Sequence, residues 1–275
     1  MSETPYDPPA GTTCWFELSS PDPAAAQEFY SALLGWEFDG TGPLGLGSAA
    51  HADGRRVAGV SEQPAGQQGP AFWSVYFRIE DLSAHLAAVD AADGQALMAI
   101  PDFDSTAGVA LVADTAGTAF GVLQYDDDRA LQAHGSPGSV GWAELFAGSP
   151  AVRDFYTAVF DWGFTPLSEQ EEQGYWAIDR AEARVGGLFD ATGVSIPPHW
   201  EAHLCVPDVD ALVDRVTELG GDVLAAPHDS HHGRVGRFID AQNAAFTLVT
   251  PRPRPAPGSR GRGPPASSRS ASWSR

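Results

Sequence analysis

The chain has 275 residues, enough for one or two domains that bury a core without staples. It carries 36 acidic and 16 basic residues, all of the latter arginine, for a formal net charge of −20. Every acid precedes Pro251, so the body is strongly anionic and excludes nucleic acid as the main partner; no apolar run is long enough to span a membrane.

The N-terminal stretch MSETPYDPPAGTTC lacks the basic start and apolar core of a secretory leader. Residues 1–11 are expected as a flexible terminus of a cytoplasmic protein, and Cys14 and Cys205 as free thiols in strands. Trp15, Glu17 and Ser19 alternate with Phe16 and Leu18, a period-two strand with two distinct faces. Ser20 or Asp22 then offers an N-cap, Pro23 suits a first helical turn, and Phe29, Tyr30, Leu33 and Leu34 fall at helical spacing. Gly35 is placed to end that helix. Shorter strands are expected near 36–38, 44–50 and 56–60. A second unit follows the same plan: Val75, Phe77 and Ile79 form one strand face, 82–92 is helical, and Gly94 stops it. Strands near 96–100, 109–113 and 119–124 complete the unit.

About 127 residues later the text repeats. CWFELSSPDPAAAQEFYSALLGWEF, starting at Cys14, returns as GWAELFAGSPAVRDFYTAVFDWGF, starting at Gly141. WSVYFRIEDLSAHLAAVDAADG, starting at Trp73, returns as WEAHLCVPDVDALVDRVTELGG, starting at Trp200. Trp15 matches Trp142, Glu17 matches Glu144, Tyr30 matches Tyr156, Trp36 matches Trp162 and Asp114 matches Asp240. A period this long is a duplicated domain. The expected division is a first domain over 12–125, a polar linker over 126–138, a second domain over 139–251, and a tail over 252–275. Rich in Arg, Pro and Ser, that tail is expected to be disordered.

Four strand-helix-strand-strand-strand units in series, with Phe-Tyr in the first helix and D-x-x-G-x-x-F before the last strand, resemble the vicinal oxygen chelate superfamily. That superfamily includes glyoxalase I, bleomycin-resistance proteins and extradiol dioxygenases, and the resemblance covers about residues 12–250. It implies an α+β fold of two tandem domains, each of two βαβββ modules whose curved mixed sheets wrap a cleft. It also implies that the chain carries its own internal pseudo-dimer, as a monomer or a weak homodimer.

Metal-using members of that superfamily place ligands on the first and last strands of the modules. The matching positions here hold Trp15, Ser74 and Gly121 in the first domain and Trp142, Glu201 and Thr247 in the second. One carboxylate among six does not make a catalytic site, so neither a metal nor another cofactor is expected. Alternation instead sends Trp15, Glu17, Ser74, Tyr76 and Arg78 to the first cleft, and Trp142, Glu144, Phe146, Glu201, His203 and Cys205 to the second. Aromatic walls around a few polar groups suit a flat, largely apolar small molecule. His203, Glu201 and Glu144 form the candidate acid/base cluster, which makes the second cleft the more reactive. The run HDSHHGR from His228 is expected as a solvated loop, with Arg234 or Arg237 able to reach an anionic group. The leading expectation is a metal-independent enzyme that moves a proton in an aromatic or polyketide-like metabolite, in isomerase, cyclase or lyase chemistry. The alternatives are a non-catalytic, drug-sequestering binder and a metal-dependent lyase or dioxygenase.

Overall fold

The computed structural model describes residues 6–64, 66, 69–104, 107–167 and 174–252. The tail beyond Arg252, expected to be disordered, lies outside the described residues. The first half runs β1 (Thr13–Ser20), α1 (Pro23–Leu34), β2 (Glu37–Asp39), β3 (Ser48–Ala52), β4 (Arg55–Glu62), β5 (Phe72–Ile79), α2 (Leu82–Ala91), β6 (Gln95–Asp104), β7 (Ala107–Ala113) and β8 (Ala119–Tyr125). The second half repeats it as β9 (Val140–Ala147), α3 (Val152–Phe160), β10 (Gly163–Pro166), β11 (Tyr175–Arg180), β12 (Ala183–Asp190), β13 (His199–Cys205), α4 (Val213–Glu218), β14 (Asp222–Ser230), β15 (Gly233–Ile239) and β16 (Ala245–Pro251).

Each half makes one eight-stranded mixed sheet. The orders β2-β3-β4-β1-β5-β8-β7-β6 and β10-β11-β12-β9-β13-β16-β15-β14 correspond strand for strand. In both, the first strands of the two modules pair antiparallel at the centre. Each pairs parallel with the last strand of its own module. The fold is α+β, two tandem domains with curved sheets.

Local chemistry explains the helix ends. Asp22 caps α1 by accepting from the Ala25 amide at 3.1 Å, Pro23 fills the first turn, and Gly35 closes it at φ 72°. Helix α4 is only six residues long and is preceded by a 3-10 turn at Asp210–Leu212. It is rich in β-branched residues, which lose side-chain freedom in a helix.

Strand alternation sends Phe16, Phe77, Trp73, Trp200 and Leu204 to the convex faces, where they are buried in one core shared by both halves. Reciprocal hydrogen bonds tie the halves together. Tyr30 donates to Asp240 at 3.1 Å and accepts from Trp73 at 3.1 Å; Tyr156 donates to Asp114 at 3.0 Å and accepts from Trp200 at 3.0 Å. Trp36 reaches the Gly138 carbonyl at 2.6 Å, and Trp162 reaches that of Gly11 at 2.9 Å. The duplicated Phe-Tyr, Trp and Asp landmarks are therefore the parts that join the two copies.

Residues 6–11 depart from the expected flexible terminus. Arg78 grips Asp7 at 2.7 Å and the Pro8 carbonyl at 2.8 Å, and the Tyr6 amide donates to Gln132. Residues 1–5 lie outside the described residues. Both cysteines are free and buried. Among the described residues no helix is long and apolar enough to cross a membrane.

Candidate functional site

The concave faces of the two sheets differ because a few substitutions fill one and open the other. In the first domain Trp15 is fully buried and its indole donates to Glu17 at 2.7 Å. The ring lies against Gly42 and Gly59, where a Cβ would collide with it. Tyr76 lies over Gly121 in the same way, which is why that strand position holds glycine. Trp15 and Tyr76, expected to line a ligand cleft, instead pack the concave face with their own rings. Ser74 sits beside Glu17 in the strand register. Arg78 is turned to the N-terminal segment and over the Tyr125 ring at 4.6 Å, so it anchors that segment.

Burial pushes the Glu17 carboxyl up to about 7, against hydrogen bonds from Trp15 and Ser61 that pull it down. A carboxyl whose pKa is raised on folding contributes its stability fully below the ordinary value near 4.5. That contribution is lost as pH rises through 7. Over that window the loss is about 3 kcal/mol. We expect Glu17→Gln, compared with the unmodified chain in urea titrations, to gain about that much between pH 4.5 and pH 8. Parallel curves for the two proteins would show that Glu17 carries no such burden.

The second domain keeps its concave face open. A cavity of about 450 Å³ is walled by Phe146, Phe189, Ile196, Leu224 and Val235, with Glu144, Tyr175, His203, His228, Asp229, Ser230, His232, Arg237 and Thr247 as its polar part. Tyr175 donates to Glu144 at 2.8 Å and meets His232 Nε2 at 2.8 Å. The indole of Trp142 donates to the same phenol at 3.3 Å, and its ring lies on His232 at 4.3 Å. A Cβ at Gly187 would collide with the phenol, so glycine there makes room for it. By strand register the first-domain counterpart of Tyr175 is Gly47, whose backbone packs against Val60 and leaves no space for a side chain. The inserted phenol separates Trp142 from Glu144, where Trp15 touches Glu17 directly.

His203 stands beside this chain, with Nε2 3.8 Å from Glu144 and neither ring nitrogen hydrogen-bonded. Burial lowers its pKa to about 4, against the opposing pull of Glu201, so the ring is neutral near pH 7. His232 is likewise lowered, to about 3, chiefly by burial. Phe146 lines the cavity and stacks on His199 at 4.8 Å.

Glu201 does not take the role expected for it. Its carboxylate accepts from Thr247 at 2.6 Å and from Arg237 at 2.7 Å, with His199 at 3.2 Å. Burial alone would raise its pKa, but His199, Arg237 and Thr247 together hold it below the ordinary value. An ionised carboxylate locked to a guanidinium is no proton acceptor. Its work is to fix Arg237, which lies over Phe146 at 4.8 Å. Cys205 lies beyond Trp142, outside this cavity, against Val235 and Val249.

The His228 run also departs from a solvated loop. It forms the end of β14, a turn, and the start of β15, and it delivers Ser230 and His232 to the cavity. Arg234 is held by Asp210 at 2.8 Å outside the cavity, whereas Arg237 lines it. Tyr175 carried no signal in the sequence, because its match in the first copy, Gly47, has no side chain to compare with it.

The donors do not fit a catalytic divalent ion. Trp142 and Thr247 occupy two of the three ligand positions, and the third, Glu201, already has both oxygens engaged, one of them by a cation. Among the described residues no three His, Cys, Asp or Glu side chains are grouped to hold a metal.

The model of the glyoxalase/bleomycin resistance protein/dioxygenase superfamily matches residues 14–122. The anthracycline biosynthesis protein DnrV of Streptomyces peucetius is 35% identical over 258 residues, covering 87% of this chain and 93% of its own. The protein CFP32 of Mycobacterium tuberculosis is 30% identical over 252 residues, covering 88% and 96%. In fold, the chain is similar to a Mn(II)-bound glyoxalase from Novosphingobium aromaticivorans, with TM-score 0.61, 14% identity and coverage of 88% and 84%. The 2,3-dioxygenase LapB of Pseudomonas sp. KL28 gives 0.60 at 12% identity, covering 90% and 95%. With two matched sheets, a duplicated sequence and relatives alike over almost their whole length, the chain belongs to the glyoxalase/bleomycin resistance protein/dioxygenase superfamily.

Proposed function

We propose that the second domain binds a flat, largely apolar secondary metabolite and moves a proton within it without a metal. The observation that carries this is the hydrogen-bonded chain of Glu144, Tyr175 and His232, with His203 beside it, facing the apolar wall of Phe146, Phe189, Ile196 and Val235 across one cavity. The likeness to the anthracycline biosynthesis protein DnrV supports an aromatic polyketide as the class of ligand.

Each residue has a distinct part. Glu144 is the base, positioned by the phenol of Tyr175. Tyr175 accepts from Trp142, and also from His232 when that ring carries its proton on Nε2, and so its own proton is directed to Glu144. His203, neutral and with no hydrogen bond to its ring nitrogens, offers one N–H and one lone pair to a hydroxyl–carbonyl pair on the ligand. Arg237, already neutralised by Glu201, gives shape and a polar edge without a net charge. The first domain, closed by Trp15 and Tyr76, serves as a structural partner, and the chain acts as a monomer that contains its own pseudo-dimer.

The test is solvent deuterium exchange, followed by NMR, into a hydroxylated aromatic ketone with an acidic C–H next to its carbonyl. The unmodified chain should accelerate exchange at that carbon. Glu144→Gln and His203→Ala should each lower the rate on the order of 10²-fold while leaving affinity within a few-fold. Tight binding with no acceleration would make the protein a sequestering binder. Acceleration abolished by a chelator would restore a metal to the site.

A further inference from the structure

Beyond the wall of Trp142 and His232 the concave face continues into a second chamber of about 570 Å³. It lies between the two halves, bounded by Tyr6 and Thr13 of the first and by Trp142, Cys205 and His232 of the second, with His134 of the connecting segment. Two ring pairs line it. Tyr6 stacks on His134 at 5.0 Å and 24°, and Trp142 lies on His232 at 4.3 Å and 39°. Thr13 is 4% exposed and its hydroxyl has no hydrogen-bond partner, a donor left unused by the fold.

We propose that this chamber is a second small-molecule site, for a neutral planar aromatic compound that carries a hydroxyl or carbonyl. Aromatic walls favour a flat ring system, and the volume falls in the range of pockets that hold small ligands. Neutrality follows from the lining. Arg184 at the rim is paired with Asp179 at 3.3 Å, and burial raises the Cys205 thiol to about 12, so it carries no charge. The polar group on the ligand is the partner that Thr13 lacks. His232 lines both chambers and Trp142 lies on it from this side, so occupancy here braces the wall on which Tyr175 leans.

The experiment is a calorimetric titration of the whole protein with 2-naphthol, a neutral flat aromatic with one hydroxyl. Two exposed positions allow each chamber to be filled without disturbing the core: Ala183 at the rim of the second chamber and Leu224 at the mouth of the first. The unmodified chain should bind two equivalents, Ala183→Trp one, Leu224→Trp one, and the double variant none. Tyr6→Ala in the Leu224→Trp background should weaken the remaining site at least tenfold. The proposal is overturned if Ala183→Trp leaves stoichiometry and affinity unchanged, if the only site is the one lost in Leu224→Trp, or if no 2-naphthol binds. Binding lost in Ala183→Trp but untouched in Leu224→Trp would uphold this site while removing the first cavity as a ligand site.

Discussion

Tyr175→Gly closes the second cleft. With the phenol gone, the Trp142 indole has no partner at 3.3 Å and swings onto Glu144, reproducing the 2.7 Å bond of Trp15 to Glu17. A ligand must then break an indole–carboxylate bond, about 1.5–3 kcal/mol. It also loses apolar contact with the ring, a further ~1.5–3 kcal/mol. The expected fall in affinity is at least on the order of 10²-fold, read by titration with the metabolite used in the exchange assay. Tyr175→Phe keeps the ring as a spacer, so its affinity should stay within about tenfold, and it separates loss of the cavity from loss of the hydroxyl. Equal affinity in the glycine variant would show that the phenol is not what holds the cleft open.

Trp162→Ala should destabilise the whole chain by about 3–5 kcal/mol, the range for removing a large buried aromatic. The ring is 2% exposed and packs on Phe160 at 4.5 Å, Phe77 at 5.1 Å and Tyr156 at 5.3 Å. Its N–H also reaches Gly11, so the substitution strands a carbonyl of the other half. Trp162→Phe keeps most of the packing and should cost only about 1–2 kcal/mol for the lost hydrogen bond. In guanidinium titrations the unmodified chain should unfold in one transition, because the convex core is common to both halves. Two separate transitions would mean that the halves are independent and that Trp162 stabilises only its own.

The fold is legible in local patterns of the chain. Side-chain periodicity is local, so Trp15 to Ser19 and Val75 to Ile79 read as strands and Phe29 to Leu34 as a helix before any tertiary contact is known. The repeat then fixed the number of domains, since Trp36 and Trp162 or Asp114 and Asp240 hold the same place in each copy. It also placed Glu144, His203 and Phe146 on one face. What it left undecided was which of those groups is free to act. Glu201 and Arg237 are 36 residues apart, and only the sheet brings them to 2.7 Å, which turns a candidate base into a fixed counter-ion. Tyr175 is distant from both Glu144 and His232, and its counterpart Gly47 looks like any loop glycine. Trp15 and Trp142 hold the same place in the repeat, yet one fills its cleft and the other is held off Glu144 by Tyr175, which leaves its cleft open. Alternation reports the face a side chain takes, whereas whether that face is filled or hollow depends on volumes and hydrogen bonds contributed by strands far apart in the chain.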